Sequence, residues 1–242
     1  MKIPSISIRP NYIHFERMYE SDKVIVPIGG DCHPAYLLKM MHLRECSLPF
    51  DWLGIQPETT FAYVLDCIQT KFSKTFSDMD FNEKRQVISR NYPTTKFNHE
   101  ACVVHNKYVV DMFKSKGKLF NELIEKYDVY YLCNIKVTPF KDKEMADKFV
   151  WDIVTFTEFM KEKDSLHIYF TSDSDENENY DLREYLLSKI RQIEKVKVIY
   201  YYKNMDKYGL WGDIRYYPTI LKQLGINIRK TYRIKVFTTG RR

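Results

Sequence analysis

The feature that most constrains the fold of this chain is the repeated alternation of short apolar, β-branched runs with segments of helical composition. We predict strands at 23–28, 129–137, 166–171, 196–202 and 232–237, and helices at 35–43, 58–71, 118–126, 143–161, 181–194 and 212–224. This order favours a mostly parallel sheet with helices on both faces. The prediction is a single α/β domain over 1–242, a three-layer sandwich around a mostly parallel central sheet.

Two further segments have a weaker periodicity. Residues 1–22 are predicted as an extended N-terminal arm, and 72–115 as an irregular insertion or lid with one or two short strands at 101–110. The N-terminus lacks the apolar run of a signal peptide, and no stretch of about 18 apolar residues occurs. We therefore expect a cytoplasmic protein with no membrane partner.

The basic residues give a formal net charge of +6, and they are densest at the C-terminal end. This group consists of Arg229, Lys230, Arg233, Lys235, Arg241 and Arg242. Such a segment can meet phosphates or an anionic surface, although it is more often a solvated edge. No nucleic-acid-binding motif is present, so we do not expect nucleic acid as a partner.

The five cysteines, at positions 32, 46, 67, 102 and 133, form no CxxC pair. This pattern indicates free thiols in a reducing compartment rather than disulfides or a zinc site. The acidic run at 172–176 lacks the spacing of a calcium loop and is predicted to cap the next helix. Phosphate-loop, dinucleotide and HExxH motifs do not occur, so we expect no cofactor and no metal.

The chemically suggestive spot is the turn Gly29-Gly30-Asp31-Cys32-His33-Pro34, between a predicted strand and a predicted helix. The unpaired N–H groups of a helix start favour a thiolate, which predicts a lowered pKa for Cys32. The N–H groups of Cys32 and His33 could also hold an oxyanion. Alternatively, Asp31 caps the helix and Cys32 simply packs.

A thiol nucleophile needs a base, and the residues themselves leave two candidates, His99 and His105, in a polar, loop-rich region. Asp51 and Asp213 are candidates for the third member, although each could cap a turn or helix instead. The loops at 29–34, after Val137 and at 171–177 should converge beyond the carboxyl ends of the parallel strands.

At these positions the sequence resembles a domain family of unknown function, from bacteria and large DNA viruses, that is described as papain-like cysteine peptidases. Three matches carry the resemblance: the cysteine turn 28–32, Pro49-Phe50-Asp51-Trp52, and Asn98-His99-Glu100 before a charged helix and an apolar strand. The resemblance implies Cys32 as nucleophile and His99 as base. Unlike papain-type enzymes, the chain has no glutamine at 23–31, and His99 follows Cys32 by only 67 positions.

Our leading hypothesis is a thiol-dependent hydrolase or acyltransferase acting on an acyl, peptide or glycan substrate, with a nucleophile-elbow-like turn at Cys32. The runner-up is a non-catalytic module that binds a glycan or a phosphorylated ligand at the strand ends. A third hypothesis is a glycan-modifying transferase in which Cys32 is structural.

Overall fold

The computed structural model of the protein describes residues 2–4, 11–97, 99, 101–172 and 179–238, with the backbone alone for 2–4, 11–13, 237 and 238. Over these ranges the strands are β1 (Lys2–Pro4), β2 (Asn11–Ser21), β3 (Val24–Pro27), β4 (Gly54–Ile55), β5 (Met79–Phe81), β6 (Val87–Ser89), β7 (Tyr92–Lys96), β8 (Val129–Lys136), β9 (Ser165–Ser172), β10 (Val196–Tyr202) and β11 (Ile228–Thr238).

Over the same ranges, the α-helices are α1 (His33–Met40), α2 (Thr60–Gln69), α3 (Lys107–Lys126), α4 (Lys143–Phe159), α5 (Tyr180–Ile190), α6 (Met205–Tyr208) and α7 (Tyr217–Gln223). Short 3-10 helices lie at Pro57–Thr59, Ala101–Val104 and Ile214–Tyr216. None of the helices in the described ranges is both long and apolar enough to cross a membrane.

The central sheet consists of β3, β8, β9 and β10, in that spatial order and all parallel. Nearly every residue of β8 and β9 is buried. Such continuous burial is typical of parallel strands covered on both faces, and it explains why these runs are apolar throughout rather than alternating. The predicted mixed α/β fold with a parallel sheet is therefore confirmed.

The remaining strands correct the prediction of a three-layer sandwich around one central sheet, because they form two further, antiparallel sheets. One has the order β1-β2-β11 and the other β4-β7-β6-β5. The last predicted strand pairs with β2 along its whole length, and the segment 72–115 carries β5 to β7 and the first turns of α3. Periodicity locates strands in the sequence, but it does not choose their partners.

The side chains of the central sheet divide between two separate hydrophobic clusters. Tyr131, Cys133 and Ile135 of β8 belong to the larger cluster, to which α2, α3, α4 and α5 contribute. Tyr130 and Leu132 of the same strand belong to the smaller cluster, to which α1 and α7 contribute. This division follows from the alternation of successive side chains across a strand.

The turn after β3 lies directly against the end of β8. The Ile28 N–H donates to the Leu132 carbonyl at 3.0 Å, which extends the β3–β8 ladder into the turn. Gly30 has a φ of +81°, and a Cβ at that position would lie 1.6 Å from the Asn134 carbonyl oxygen. Only glycine fits here, because both the backbone conformation and the close approach exclude a side chain. The Ile55 N–H also donates to the Gly30 carbonyl at 3.0 Å, which joins β4 to the turn.

We expect Gly30→Ala to lower the free energy of unfolding by about 3–5 kcal/mol, because a methyl group would meet a backbone oxygen and the left-handed φ adds strain. Gly225→Ala is the matched control, since Gly225 has a φ of +78° and a Cβ there would come no closer than 3.9 Å to another atom. The control should lose only about 1 kcal/mol. Urea unfolding measures both variants, and equal losses would contradict a special constraint at Gly30.

Candidate functional site at the cysteine turn

Cys32 immediately precedes α1, and its backbone has α-helical torsion angles. Pro34 occupies the first turn, where its missing N–H costs no hydrogen bond. Asp31 acts as the cap, because its Oδ1 accepts a hydrogen bond from the His33 N–H at 2.9 Å. The thiol is half-buried, so a reagent can reach it from one side.

The charges around Cys32 correct the expectation of a low pKa. Burial raises the pKa of the Cys32 thiol above its ordinary value, and the Asp31 carboxylate raises it further. The N–H of Cys32 itself and the side chains of Lys203 and Lys136 act in the opposite direction, but more weakly. The start of α1 therefore does not hold Cys32 as a thiolate at rest. Desolvation and the adjacent carboxylate raise the pKa by more than the helix start and the lysines lower it.

The two lysines were missed in the sequence analysis, and their positions in the fold explain why they reach the thiol. Lys136 ends β8, and Lys203 directly follows β10. Both therefore stand at the carboxyl ends of parallel strands, beside the turn that follows β3. Lys203 is only 2% exposed, which is rare for lysine. The signal that could have found them was a charged residue at the end of a buried strand.

Asn134 was also missed. Its buried side chain donates to the Tyr169 carbonyl and to Thr171 Oγ1, both at 3.1 Å. These bonds tie the ends of β8 and β9 together beneath the cysteine turn. Two of the three loops expected to converge, 29–34 and the one after Val137, start from this edge. The third, at 171–177, falls mostly outside the described residues.

His33 points into the protein rather than towards a substrate. Its ring is buried, with Nδ1 2.8 Å from the Tyr169 hydroxyl and Nε2 3.1 Å from the Trp211 carbonyl oxygen. Trp211 in turn stacks on Tyr36, with 3.9 Å between ring centroids. Of the two backbone N–H groups predicted to hold an oxyanion, that of His33 already donates to Asp31, so an oxyanion there would compete with that carboxylate.

The structure does not bring either candidate base into hydrogen-bonding contact with Cys32 among the described residues. His99 is exposed, and its ring lies edge-on to Trp52 at 5.6 Å between centroids. Its neighbours at 98 and 100 lie outside the described residues. His105 lies 5.9 Å from the Phe81 ring and lines an open cavity of about 550 Å³ with Cys102.

Asp51 is buried in an ion pair with Arg44, and its carboxylate also accepts the Leu48 N–H at 2.8 Å. Burial raises the pKa of Asp51 even though Arg44 opposes the shift. Arg44 also lies over the Trp52 ring, with its guanidinium carbon 5.7 Å from the centroid. Among the described residues, the carboxylate contacts no histidine ring, so the observed contacts of Asp51 are structural.

The cavity beside this block is separate from the cysteine turn. Arg44 and Leu48 line a cavity of about 860 Å³ together with 22–25 and Pro27, so it runs along β3. Its lining includes none of residues 29–34. The two partners of Asp51 therefore line a cavity to which the cysteine turn does not contribute.

Asp213 caps the 3-10 helix at Ile214–Tyr216 by accepting the Arg215 N–H at 3.0 Å. The Arg215 guanidinium binds both carboxylate oxygens at 2.9 Å and lowers the pKa of Asp213. The structure thus pairs Asp213 with an arginine. The acidic run at 172–176 lies mostly outside the described residues, and in the described part no group of three or more metal-ligating side chains comes together.

Comparison with known families now adds to this geometry. A family model described as "Putative papain-like cysteine peptidase (DUF1796)" matches residues 23–200, which includes β3, β8, β9 and all of β10 except its last two residues. The chain belongs to this family. The resemblance found in the sequence is therefore confirmed, and a cysteine hydrolase is supported at that coarse level. No curated protein and no solved structure matches the chain.

We expect Asp31→Asn to lower the pKa of Cys32, because it removes the carboxylate charge and keeps an oxygen that can accept the His33 N–H. The larger thiolate fraction should speed alkylation by iodoacetamide at pH 7.5 by about three- to tenfold. Mass spectrometry of the tryptic peptides gives the rate, and the exposed Cys102 is the internal reference. An unchanged or slower rate at Cys32 would contradict this electrostatic account.

We expect Arg44→Met to lower the free energy of unfolding by about 3 kcal/mol, because it leaves the buried Asp51 carboxylate unpaired. The difference in the free energy of unfolding between the variant and the wild type should become smaller as the pH falls. The pKa of the Asp51 carboxyl group is raised in the folded protein, so this group takes up a proton and no longer carries an unpaired charge. Urea unfolding at several pH values measures both effects. Arg90→Met, which breaks the exposed pair with Asp80, is the control and should cost far less. Equal losses in the two variants would contradict a special cost of leaving the buried Asp51 carboxylate unpaired.

Proposed function

We propose that the protein is a thiol-dependent hydrolase or acyltransferase in which Cys32 is the nucleophile. The observation that carries the proposal is the half-buried thiol at the start of α1, flanked by two lysines at the ends of parallel strands, in a chain of the cysteine peptidase family. A thiol in this position can attack a carbonyl group, and positive charge beside it favours the thiolate.

The raised pKa of Cys32 determines the order of events. The resting group is a thiol, so its proton must leave as the sulfur attacks the acyl carbonyl. The S–C bond forms, the bond to the leaving group breaks, and the base returns the proton to the leaving group. Water or an alcohol then cleaves the thioester and restores the thiol. Lys136 and Lys203 stabilise negative charge as it develops on the sulfur.

We assign the base to His99, which lies within the residues matched by the family model. Because the His99 ring packs on Trp52, this assignment requires that ring to leave Trp52 and approach Cys32 when substrate binds. Hydrogen bonds between catalytic groups are often loose before substrate is present. His105 remains the alternative base.

The test uses p-nitrophenyl acetate, a generic acyl donor that needs no knowledge of the natural substrate. We expect release of p-nitrophenol, an acetyl group on the peptide that contains Cys32, and loss of turnover to the background rate in Cys32→Ser. The assay follows absorbance at pH 8 together with mass spectrometry of quenched samples.

Two sets of variants control this test. Cys102→Ser should retain turnover, since Cys102 is exposed and lies in the 3-10 helix at Ala101–Val104, outside the cysteine turn. His99→Ala should reduce turnover by about a hundredfold or more, and His105→Ala should not. If Cys32→Ser kept its full turnover, the enzyme proposal would be wrong. The strand ends would then be better explained as a binding site with a structural cysteine.

A further inference from the structure

The ribbon formed by β2 and β11 carries an apolar face that the rest of the described chain does not cover. Residues directly opposite each other in an antiparallel pair share a face. The register therefore places Phe15 beside Ile234, and Arg17 beside Tyr232. We call the set Phe15, Arg17, Lys230, Tyr232, Ile234 and Val236 the ribbon face.

The apolar members of the ribbon face that lie on β11 are unusually exposed, and Phe15 on β2 is half-buried. Tyr232 is 58% exposed, Ile234 60% and Val236 65%. Closer to the body of the protein, Ile228 and Tyr19 pack against the smaller hydrophobic cluster. The apolar stripe of β11 therefore begins beside the core and continues into solvent. A contiguous exposed apolar strip of this kind marks a surface for a partner.

The free charges of the ribbon are all positive. β2 and β11 together hold five Arg or Lys residues and two Glu residues. Both glutamates are neutralised, because Glu16 binds Lys235 at 2.8 Å and Glu20 binds Arg229 at 2.7 Å. Among the described residues, Arg17, Lys230 and Arg233 form no ion pair, and Lys230 Nζ lies 5.1 Å from the centre of the Tyr232 ring. The partner should therefore be anionic.

A second copy of the chain fits this surface poorly. β11 contains four Arg or Lys residues and no acidic residue, so pairing two β11 edges would bring like charges together. An acidic peptide added along that edge would match the charge. It would still leave the large apolar side chains of the ribbon face in water. An anionic lipid surface accommodates both features, because apolar and aromatic side chains enter the headgroup layer while basic residues meet the headgroups.

We propose that the ribbon face docks peripherally on an anionic lipid membrane, with Tyr232, Ile234 and Val236 in the headgroup layer and Arg17 and Lys230 against the anionic headgroups. Peripheral docking needs no membrane-spanning segment. It revises our expectation of no membrane partner, which depended on the lack of such a segment. The proposal is independent of the chemistry at Cys32.

The test is flotation of the full chain with vesicles of phosphatidylcholine alone and of phosphatidylcholine with 30% phosphatidylserine, a composition of roughly physiological charge. We expect binding to the phosphatidylserine vesicles that weakens with salt. The triple variant Tyr232→Ser/Ile234→Ser/Val236→Ser and the double variant Arg17→Glu/Lys230→Glu should each bind at least about tenfold more weakly. The controls are Trp151→Ser, at an exposed apolar residue on α4, and Lys118→Glu, at an exposed lysine on α3.

Two further measurements keep the outcome clear if a variant folds poorly. Circular dichroism checks the fold of each variant. The variant Ile234→Trp supplies a fluorescent reporter, and brominated lipids should quench its fluorescence more than they quench that of the wild type. Lack of binding to either vesicle would overturn the proposal. It would also be overturned if the triple serine variant bound as well as the wild type. Binding to polyglutamate tests an acidic peptide as the alternative partner. Suppose that the double variant Arg17→Glu/Lys230→Glu loses binding to vesicles and to polyglutamate equally, and that the triple serine variant loses neither. The partner would then be an acidic peptide instead.

Discussion

The contact between Gly30 and the Asn134 carbonyl is the constraint on which the candidate site depends. It brings the turn after β3 against the end of β8, where no side chain could fit. Asn134 in turn bonds to β9. The ends of three parallel strands are therefore fixed relative to one another before any catalytic group is considered. This rigidity places a half-buried thiol at a sheet edge, which is where open α/β sheets bind their ligands.

The electrostatics of Cys32 show a balance that a motif alone does not reveal. A helix start and two lysines favour the thiolate, whereas burial and Asp31 favour the thiol, and the latter pair is the stronger. Asp31 has a double effect, since the same carboxylate that caps α1 through the His33 N–H also opposes ionisation of the adjacent residue. Helix capping and thiol activation therefore conflict at this turn, and the structure favours the cap.

The sequence predicted the central sheet well because its strands are buried on both faces, and continuous apolar runs such as 129–137 leave little choice. It located the last strand at 232–237 and the extended segment at 1–22, but it did not predict that β11 and β2 pair, because that pairing depends on contacts between residues far apart in sequence. At the site, it located the cysteine turn through its glycines, but it missed Lys136 and Lys203. Their importance arises from strand order, which brings residues far apart in sequence to one edge.

The same reasoning separates Asp51 from the thiol. The Pro-Phe-Asp-Trp block follows Cys32 closely in sequence. However, α1 lies between the cysteine turn and this block, and it runs back along the sheet. The partners of Asp51 line a cavity along β3 that includes none of residues 29–34. A short separation in sequence therefore does not indicate a shared site when a helix intervenes. The His99 ring packs against Trp52, so the proposed pairing of His99 with Cys32 requires the ring to leave that contact. Under this proposal, burial serves catalysis by keeping the thiol protonated until a substrate and a base arrive together.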